Sequence, residues 1–412
     1  MKMSITLSLF FIFNFVLCAF GESEGRNDRF FLFNIIKFDN DICQGNNDND
    51  IGVCFTKSEC TARDGRESGN CASGFGVCCI IESNCNSTNH PSEIVQYFQS
   101  PNYPQIDSMP YYCSRNIKIV NTDICQVRID FLEFEMGGPS MRQAPFGQCL
   151  NDRMSLFFGN TRLGLSGGNS LCGNMKGQHI YIDVSETTDE SLRFFTMVGN
   201  EDDIPGSTIS PLASTQYKWN LRIRQISCSD YSDVRAPEGC LQYFPSPMGT
   251  IESFNYGAVN SPYPALLDYT MCFKKLKGFC GISFQVIGEG NGSPVFGLNY
   301  NGDGSVPYGE FCYGTPGASS NDFLEVLAGS YKNLGATDFT TTSHICGVKK
   351  DRFVPVFRST YPGPWMIRFK SDESLRILGG TDTVNTVNEA DTLVGAGGET
   401  GFRLKYRLIQ NC

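Results

Sequence analysis

The arrangement of the cysteines constrains this fold more than any other feature of the sequence. The chain has 412 residues and 19 cysteines, and five of these fall in the 28 residues from 52 to 79, a stretch that ends in an adjacent pair. Such a cluster predicts a zinc site in the cytosol but a disulfide framework outside the cell. Which of the two the cysteines form therefore depends on the compartment of the protein.

The N-terminus is typical of a secretory signal peptide. It begins with Lys2, continues with a short apolar run, and places Ala19 and Gly21 at the spacing that signal peptidase accepts. We therefore expect a signal peptide over residues 1–21, with cleavage before Glu22. No later stretch approaches the roughly 20 apolar residues that a membrane-spanning helix needs. The sequence thus predicts a secreted, extracellular protein without a membrane anchor.

An oxidising compartment favours complete pairing of the cysteines. Loss of Cys18 with the signal peptide leaves 18 of the 19, which is an even number. The three histidines, His90, His179 and His344, lie far apart without metal-ligand spacing, so we expect structural or surface roles for them. The net charge of -10, with lysines and arginines scattered along the chain, argues against a nucleic-acid partner.

Twelve of the cysteines form two sets of six with the same layout. In each set the third cysteine opens an alternating segment, CQVRIDF or CGISFQV, and the sixth closes one, WNLRIRQISC or FRLKYRLIQNC. A period of two is that of a half-buried β-strand. The sets are Cys85, Cys113, Cys125, Cys149, Cys172 and Cys228, and Cys240, Cys272, Cys280, Cys312, Cys346 and Cys412.

The closing segments indicate which strand face is buried. In the first set, Trp219, Leu221 and Ile223 share one face, and Arg222 and Arg224 lie on the other, where arginines are usually solvated. Further segments such as HIYIDVS and WMIRFKS alternate too, and no stretch has a convincing helical period. The sequence therefore predicts an all-β chain, most simply two sandwiches.

Both repeats resemble the CUB domain. The first contains FQSPNYPQ, then YYCSRNIKI and later LCG, and the second contains NDFLEV, ICG and IRFKSDES. The resemblance implies two tandem CUB-type β-sandwiches of jelly-roll character, over residues 85–228 and 240–412. CUB topology implies four disulfides, and the symmetry of the repeats suggests two more. The four are Cys85–Cys113, Cys149–Cys172, Cys240–Cys272 and Cys312–Cys346, and the two are Cys125–Cys228 and Cys280–Cys412.

The dense N-terminal cluster, with its closing VCC, resembles a clip domain, a small disulfide-stapled module of arthropod extracellular proteases and their inactive relatives. We assign it to residues 22–80, which cannot bury enough apolar surface alone, so disulfides would supply the stability. The combination with two CUB repeats resembles a family of secreted arthropod CUB proteins. The resemblance implies the pairs Cys43–Cys78, Cys54–Cys71 and Cys60–Cys79, although the gap between the middle cysteines is short for a clip domain.

Many CUB domains hold calcium through a glutamate and two aspartates, because a hard cation needs several anionic oxygens. In the second repeat Asp322 and Asp372 match the two aspartates, and Glu289 is the nearest candidate for the glutamate. The resemblance therefore implies a calcium site in the second repeat. In the first repeat Asp152 matches, but the glutamate position falls on Gly137, and we expect no calcium there. No other cofactor is expected.

Two further features concern the surface. Asn86 and Asn291 each begin an N-x-Ser/Thr sequon, so both are predicted glycosylation acceptors of a secreted protein. A long glycine-rich insertion spans residues 287–311 in the second repeat. Long loops on a sandwich often form binding surfaces, but a surface loop without a partner is the equally open alternative.

The sequence predicts no enzyme. The SGG at residues 166–168 lacks the aspartate that precedes it in serine proteases, no HExxH motif occurs, and a disulfide-bonded cysteine cannot act as a nucleophile. We expect a secreted, non-catalytic protein that binds another extracellular protein through CUB loops. One alternative is a regulator or cofactor of an extracellular serine protease cascade, acting through the clip-like module. The other is a carbohydrate-binding protein that stacks sugars on Tyr300, Tyr308 and Phe311.

Overall fold

Segments in which apolar and polar residues alternate dominate the chain, and in the structure, a computed structural model, they form β-strands that pair into sheets. The all-β prediction is thereby confirmed. The structure describes residues 37–87, 92–139, 147–158, 161–163, 170–184, 191–199, 216–230, 234–257, 262–287, 296–298, 322–332, 337–349, 356–372 and 400–410. The predicted signal peptide over residues 1–21 therefore lies outside the described residues.

The N-terminal cysteine cluster folds as a separate small sheet, here called the cysteine module. Its strands lie in the order β1-β2-β4-β3, two disulfides cross-link these strands, and a third joins the short helix of the module to β4. The polar GNNDNDIG segment forms the turn of the β1–β2 hairpin. The elements are β1 (Ile42–Gln44), β2 (Ile51–Phe55), helix α1 (Lys57–Ala62), β3 (Arg66–Cys71), a 3-10 turn (Ala72–Gly74) and β4 (Gly76–Ile80).

Helix α1 was not predicted from the sequence. Thr56 and Glu59 form a capping box, in which the Thr56 hydroxyl accepts the Glu59 N–H (3.3 Å) and Glu59 Oε2 accepts the Thr56 N–H (3.0 Å). This arrangement satisfies backbone donors that the first helical turn leaves unpaired. The helix has six residues, which is too short to display a helical repeat of apolar positions.

The first sandwich consists of two sheets. One has four strands in the order β10-β9-β12-β7, and the other has five in the order β11-β8-β13-β6-β5. Every pairing is antiparallel except that of β5 with β6. The strands are β5 (Glu82–Ser83), β6 (Val95–Gln99), β7 (Tyr111–Lys118), β8 (Ile124–Glu135), β9 (Arg153–Phe158), β10 (Thr161–Leu163), β11 (His179–Asp183), β12 (Ser191–Val198) and β13 (Lys218–Ser227).

The second sandwich contains the sheet β14-β16-β25-β19-β22 and a larger sheet, β21-β20-β24-β17-β26-β18-β23, in which β15 also pairs with β26. The strands are β14 (Gln242–Phe244), β15 (Met248–Glu252), β16 (Asp268–Phe273), β17 (Gly281–Val286), β18 (Phe296–Leu298), β19 (Phe323–Val326), β20 (Gly329–Lys332), β21 (Thr340–Thr341), β22 (His344–Ile345), β23 (Gly347–Lys349), β24 (Val356–Ser359), β25 (Trp365–Lys370) and β26 (Gly401–Ile409).

The two sandwiches share one strand order. The run β19-β25-β16 of the second corresponds to β9-β12-β7 of the first, and the run β24-β17-β26-β15 corresponds to β11-β8-β13-β6. In both, the strand opened by the third cysteine pairs with the closing strand. The prediction of two tandem sandwiches behind a disulfide-rich module is confirmed at the level of fold class.

The closing strands supply the centre of each core. Trp219, Leu221 and Ile223 of β13 are fully buried, and Phe402 and Leu404 occupy the same place on β26. Full burial of such side chains stabilises a fold by about 1.5–3 kcal/mol each, relative to exposure. The apolar face predicted from the alternation is therefore the inner face of both closing strands.

The outer face of β13 differs from the prediction, because Arg222 is not solvated. Its Nη2 donates to Asp130 Oδ2 (3.0 Å), while Arg128 lies 2.7 Å from the other oxygen, Oδ1. The register places Arg222 opposite Tyr97 of β6, the residue on which the cysteine module sits. A face covered by another module has no bulk water, so its charges are paired instead.

The cysteine module packs against the first sandwich through β6. The Tyr97 hydroxyl accepts the Ile51 N–H (3.0 Å) and lies 2.9 Å from the carbonyl oxygens of Asn49 and Ile51, to one of which it donates. Arg63 forms an ion pair with Glu93 (2.6 Å). A shared apolar cluster includes Val53, Phe55, Ile80 and Ile81 of the module and Val95, Tyr97 and Leu132 of the sandwich.

The two sandwiches meet at a hydrogen-bonded contact that we call the joint, within the compact unit that residues 39–412 form. The N–H of Tyr181 in β11 donates to the Leu241 carbonyl (2.7 Å). His179 Nε2 lies 3.1 Å from the Tyr243 nitrogen and 3.0 Å from its carbonyl oxygen. Nε2 either accepts the Tyr243 N–H or donates to the Tyr243 carbonyl, depending on the tautomer of the imidazole. Burial lowers the pKa of His179 to about 4.

Asp50 is the main polar anchor of the cysteine module. It is buried, and Arg66 reaches both of its carboxylate oxygens (3.1 Å each). The hydroxyl of Ser68 (2.6 Å) and the amide of Asn47 (2.9 Å) also donate to it. These donors, Arg66 first, lower the pKa of Asp50 to about 2.

We expect Asp50→Asn to lower the free energy of unfolding of the module by about 2 kcal/mol at pH 7. A carboxyl group whose pKa is depressed in the folded state stabilises above its unfolded pKa of about 3.9 and loses that contribution as pH falls toward 2. The difference between variant and wild type should therefore shrink between pH 4 and pH 2 in thermal unfolding of the full chain. The control is Asp48→Asn at an exposed position of the same turn, and an equal loss at both pH values would contradict the expectation.

Acid should weaken the joint through His179. Its folded pKa of about 4 lies below its ordinary value of 6.5, so the neutral imidazole contributes stability above pH 6.5 that is lost as pH falls toward 4. Small-angle scattering should show the sandwiches separating over this range, and His179→Gln, which keeps an acceptor but does not titrate, should remove the dependence. His344→Gln is the matched control. The same acid response in His179→Gln would exclude the imidazole as its source.

Candidate functional site

Disulfides fasten both sandwiches as well as the module. Seven pairs have both cysteines among the described residues, with Cα–Cα distances of 4.8 to 5.9 Å. Cys280 and Cys346 are also disulfide-bonded, and their predicted partners, Cys412 and Cys312, lie outside the described residues. The seven are Cys43–Cys78, Cys54–Cys71, Cys60–Cys79, Cys85–Cys113, Cys125–Cys228, Cys149–Cys172 and Cys240–Cys272, each of which the sequence also suggests.

The two aspartates predicted as calcium ligands lie next to each other at one end of the second sandwich. Asp322 immediately precedes β19 and is buried. Its Oδ1 accepts the backbone N–H of Asp372 (2.6 Å), which follows β25, and its Oδ2 accepts the Tyr263 hydroxyl (2.6 Å). Glu289, the predicted third ligand, lies outside the described residues. The Asp322 side chain is therefore hydrogen-bonded to the backbone at Asp372.

The first sandwich contains the same arrangement without a second carboxylate. Asp152 immediately precedes β9 and is buried. Its Oδ2 accepts the N–H of Gly137 (2.8 Å), and its Oδ1 accepts the N–H of Gly199 (3.2 Å), the residue that follows β12. Gly199 occupies the place that Asp372 has after β25. In both sandwiches, therefore, an aspartate before one strand binds the backbone at the end of its neighbour.

The described residues do not complete a calcium site. Calcium takes six to eight oxygen ligands, and no group of three or more His, Cys, Asp or Glu residues in the described part of the chain could hold a metal ion. Both oxygens of Asp322 already accept hydrogen bonds from protein groups. Through these two contacts Asp322 links Tyr263 to the end of β25.

The loop that contains Tyr263 also contacts the first sandwich. The N–H of Ala265 donates to the Gly147 carbonyl (2.7 Å), and the N–H of Leu266 donates to the Asp372 carbonyl (2.7 Å). Beside it, the side chain of Asn255 accepts the Asn174 N–H (2.9 Å). Sequence reasoning missed these contacts, since no pattern distinguishes these residues from other loop residues. This end of the second sandwich is consequently engaged in part by its neighbour.

Of the two predicted glycosylation sites, only Asn86 lies among the described residues. Asn86 is exposed in a turn after β5 and donates its backbone N–H to the side chain of Asn84 (2.9 Å). The second predicted glycosylation site, the sugar-stacking aromatics and one histidine lie outside the described residues. These are Asn291, Tyr300, Tyr308, Phe311 and His90.

Comparison with known proteins identifies the second sandwich. Residues 237–409 match the family model of the animal CUB domain. We refer to this matched stretch as the CUB domain, a type of module that generally mediates extracellular protein–protein interactions. No curated protein matches the chain. In the described part of the chain, no helix has the length and apolar character needed to cross a membrane.

Two solved structures share similarity with a large part of the chain. The CUB1-EGF-CUB2 domain of human MASP-1/3 is 14% identical, with 77% of this chain and 100% of that chain covered and a TM-score of 0.23. The CUB1-EGF-CUB2 domains of rat MASP-1 are also 14% identical, with 80% and 99% covered and a TM-score of 0.22.

If Asp322 is structural, its replacement should destabilise the chain whether or not calcium is present. Asp322→Asn removes one of two hydrogen-bond acceptors, and we expect a loss of about 1–3 kcal/mol in the free energy of unfolding. Chemical denaturation with excess calcium and with chelator should give the same loss. The matched variant is Asp152→Asn in the first sandwich. A wild-type chain that calcium stabilises, and an Asp322→Asn chain that it does not, would instead establish Asp322 as a ligand.

Proposed function

We propose that this chain is a secreted, non-catalytic protein that binds other extracellular proteins. The observation that carries the proposal is the CUB domain over residues 237–409, since modules of this type act in protein recognition. The joint supports it, because Tyr181 and His179 fix the CUB domain against a second sandwich of the same strand order. A partner would meet two neighbouring sandwiches, which offer more surface than a single module.

In its proposed secreted form, the protein lacks residues 1–21 and carries a glycan on Asn86. Disulfides persist in oxidising compartments, and seven are present among the described residues. Asn86 is exposed, which an acceptor of a bulky glycan requires. Asn291 stays a predicted acceptor of the same kind.

Regulation of an extracellular protease cascade through the clip-like module is the second candidate. The module exposes Phe75 immediately after its 3-10 turn, and an exposed aromatic ring is a common anchor in protein interfaces. Its apolar cluster is completed by Val95, Tyr97 and Leu132 of the first sandwich. The module would therefore act as part of the whole chain, and tests of it require the full chain.

Calcium enters the proposal as an auxiliary ligand of the CUB domain. Asp322 and Asp372 are adjacent, and Glu289, within the insertion over residues 287–311, stays the predicted third ligand. The oxygens of the described residues do not complete the coordination of the ion. Carbohydrate binding stays a prediction from the aromatic residues of the same insertion.

Affinity capture tests the function directly. The full mature chain, immobilised and incubated with extracellular fluid of the producing organism, should retain specific proteins that mass spectrometry identifies and that bind again as purified components. A reduced and alkylated chain is the control, because it has lost the folded surfaces. Recovery of the same proteins by both forms, or no binding by purified components, would refute the function.

Two further versions of the capture experiment test whether binding depends on calcium and whether it occurs through the cysteine module. Chelator should release the partner if calcium is part of the CUB contact, and a chelator-insensitive partner removes calcium from the proposal. Phe75→Ser should abolish capture if the module carries the contact. Partners that still bind Phe75→Ser assign binding to the sandwiches.

A further inference from the structure

The outward side of one sheet in the first sandwich has an unusual composition. In β7 the side chains of Cys113, Arg115 and Ile117 point into the core, so their neighbours along the strand face outward. In β12 the outward residues are partly buried, and in β9 this holds for Arg153 and Phe157, whereas Ser155 between them is buried. We call the resulting surface the aromatic-basic face, and it comprises Tyr112, Lys118, Arg153, Phe157, Arg193, Phe195 and Met197.

The strand register brings these side chains together. Tyr112 lies opposite Met197, which in turn lies opposite Arg153 on β9, and Arg193 lies opposite Phe157. Neighbouring side chains at such positions are within contact distance of each other. Residues distant in sequence therefore form one continuous patch across three strands.

Contacts within the patch hold its side chains in place. The rings of Tyr112 and Phe195 meet edge to face, with centroids 4.9 Å apart. The Arg193 guanidinium lies 5.0 Å from the centre of the Phe157 ring, and Arg153 Nη2 lies 3.6 Å from Met197 Sδ. Side chains ordered before binding lose less conformational entropy when a partner arrives.

Among the described residues, no carboxylate balances the charge of the patch. Lys118, Arg153 and Arg193 lie on the face, and its described residues include no carboxylate. Neither Arg153 nor Arg193 forms an ion pair with an acidic side chain in the described part of the chain. Since the whole chain has a net charge of -10, this concentration of positive charge runs against its overall balance.

The second sandwich provides an internal comparison. Its corresponding strands, β16, β19 and β25, carry Asp268, Glu325 and Arg368 on the outward side. Arg368 lies 2.5 Å from Asp268 and 3.7 Å from Glu325, and Lys370 on the same side of β25 supplies a second cation, so two cations face two carboxylates. The same strand order thus supports an ordinary solvated face, and folding alone does not require the aromatic-basic one.

The other surfaces of the first sandwich are already used. The cysteine module covers the outer side of the five-stranded sheet at Tyr97, and the CUB domain contacts the edge strand β11 at His179 and Tyr181. On the aromatic-basic face, by contrast, 67% of Tyr112 remains exposed. Tyr112 is thus an exposed ring beside the partly buried rings of Phe157 and Phe195, and an exposed aromatic anchor with cations around it is typical of an interaction surface.

We propose that the aromatic-basic face docks an acidic segment of another extracellular protein, in which carboxylates alternate with apolar side chains. This inference rests on the proposed function and specifies the partner's chemistry. Tyr, Phe, Met and Arg are the residues enriched at the centres of protein interfaces. The carboxylates would pair with Arg153 and Arg193, while the apolar side chains would cover Tyr112 and Phe195. A sulfated glycan would match the cations but not the apolar centre.

A random 12-residue peptide library displayed on phage tests the inference, with the full mature chain as bait. Selected peptides should be rich in Asp, Glu and apolar residues. Arg193→Glu and Tyr112→Ala should each weaken their binding by about tenfold or more. Two controls should change the affinity by less than about twofold: Lys370→Glu, a charge reversal at the end of the corresponding strand β25, and Met248→Ala, an exposed apolar side chain elsewhere.

The remaining outcomes overturn the proposal. Selected peptides without acidic enrichment, or peptides that bind both face variants as well as wild type, would exclude this face as an acidic docking site. Heparin that binds wild type, displaces the peptides and fails to bind Arg193→Glu would assign the face to a polyanionic glycan. If affinity capture retains the same partners on wild type and Arg193→Glu, the proposed function stands and this inference fails. If wild type captures nothing, the proposed function itself fails.

Discussion

The antiparallel pairing of β8 with β13 is the contact on which the rest of the structure depends. It extends from Lys218 opposite Glu135 to Ser227 opposite Ile124, and the Cys125–Cys228 disulfide closes its far end. Its inner side supplies the fully buried side chains of the first core. Strand β6, which pairs with β13, contacts the cysteine module, and strand β11, which pairs with β8, forms the joint with the CUB domain. Separating these two strands would therefore divide the sheet between β6, which contacts the cysteine module, and β11, which contacts the CUB domain.

The strands and their disulfides were predictable, whereas the contacts between modules were not. A period of two and a repeated cysteine order are local signals, so each sandwich could be read from its own residues. Tyr97 and His179 act across modules, yet in the sequence they are ordinary members of alternating segments. The error at Arg222 has the same cause, because an outward arginine is solvated only if nothing covers it. Helix α1 could not be predicted from periodicity, because its six residues are too few to show a helical repeat of apolar positions.

The predicted metal ligands illustrate how one motif serves two physical roles. Asp322 and Asp152 each precede a strand and accept a backbone N–H at the end of the neighbouring strand. A buried carboxylate with such donors satisfies backbone groups that the sheet leaves unpaired at its end. The sequence motif records only the position of the aspartate, so it cannot distinguish this use from metal binding. Gly199, where the CUB domain has Asp372, makes the structural use evident in the first sandwich.

Uncompensated charge and exposed aromatic rings both carry a cost in an isolated soluble protein. Clustered cations repel one another, and exposed apolar side chains favour non-specific association. The CUB domain avoids both on its corresponding sheet, where Arg368 is paired with acidic neighbours. The described residues of the first sandwich show both features, although replacing Tyr112 or Arg193 with small polar residues would leave its core unchanged, since both point outward. A surface whose composition folding does not require, and which adds cost when free, is best explained by a bound state in which its charges are neutralised and its aromatic rings are covered.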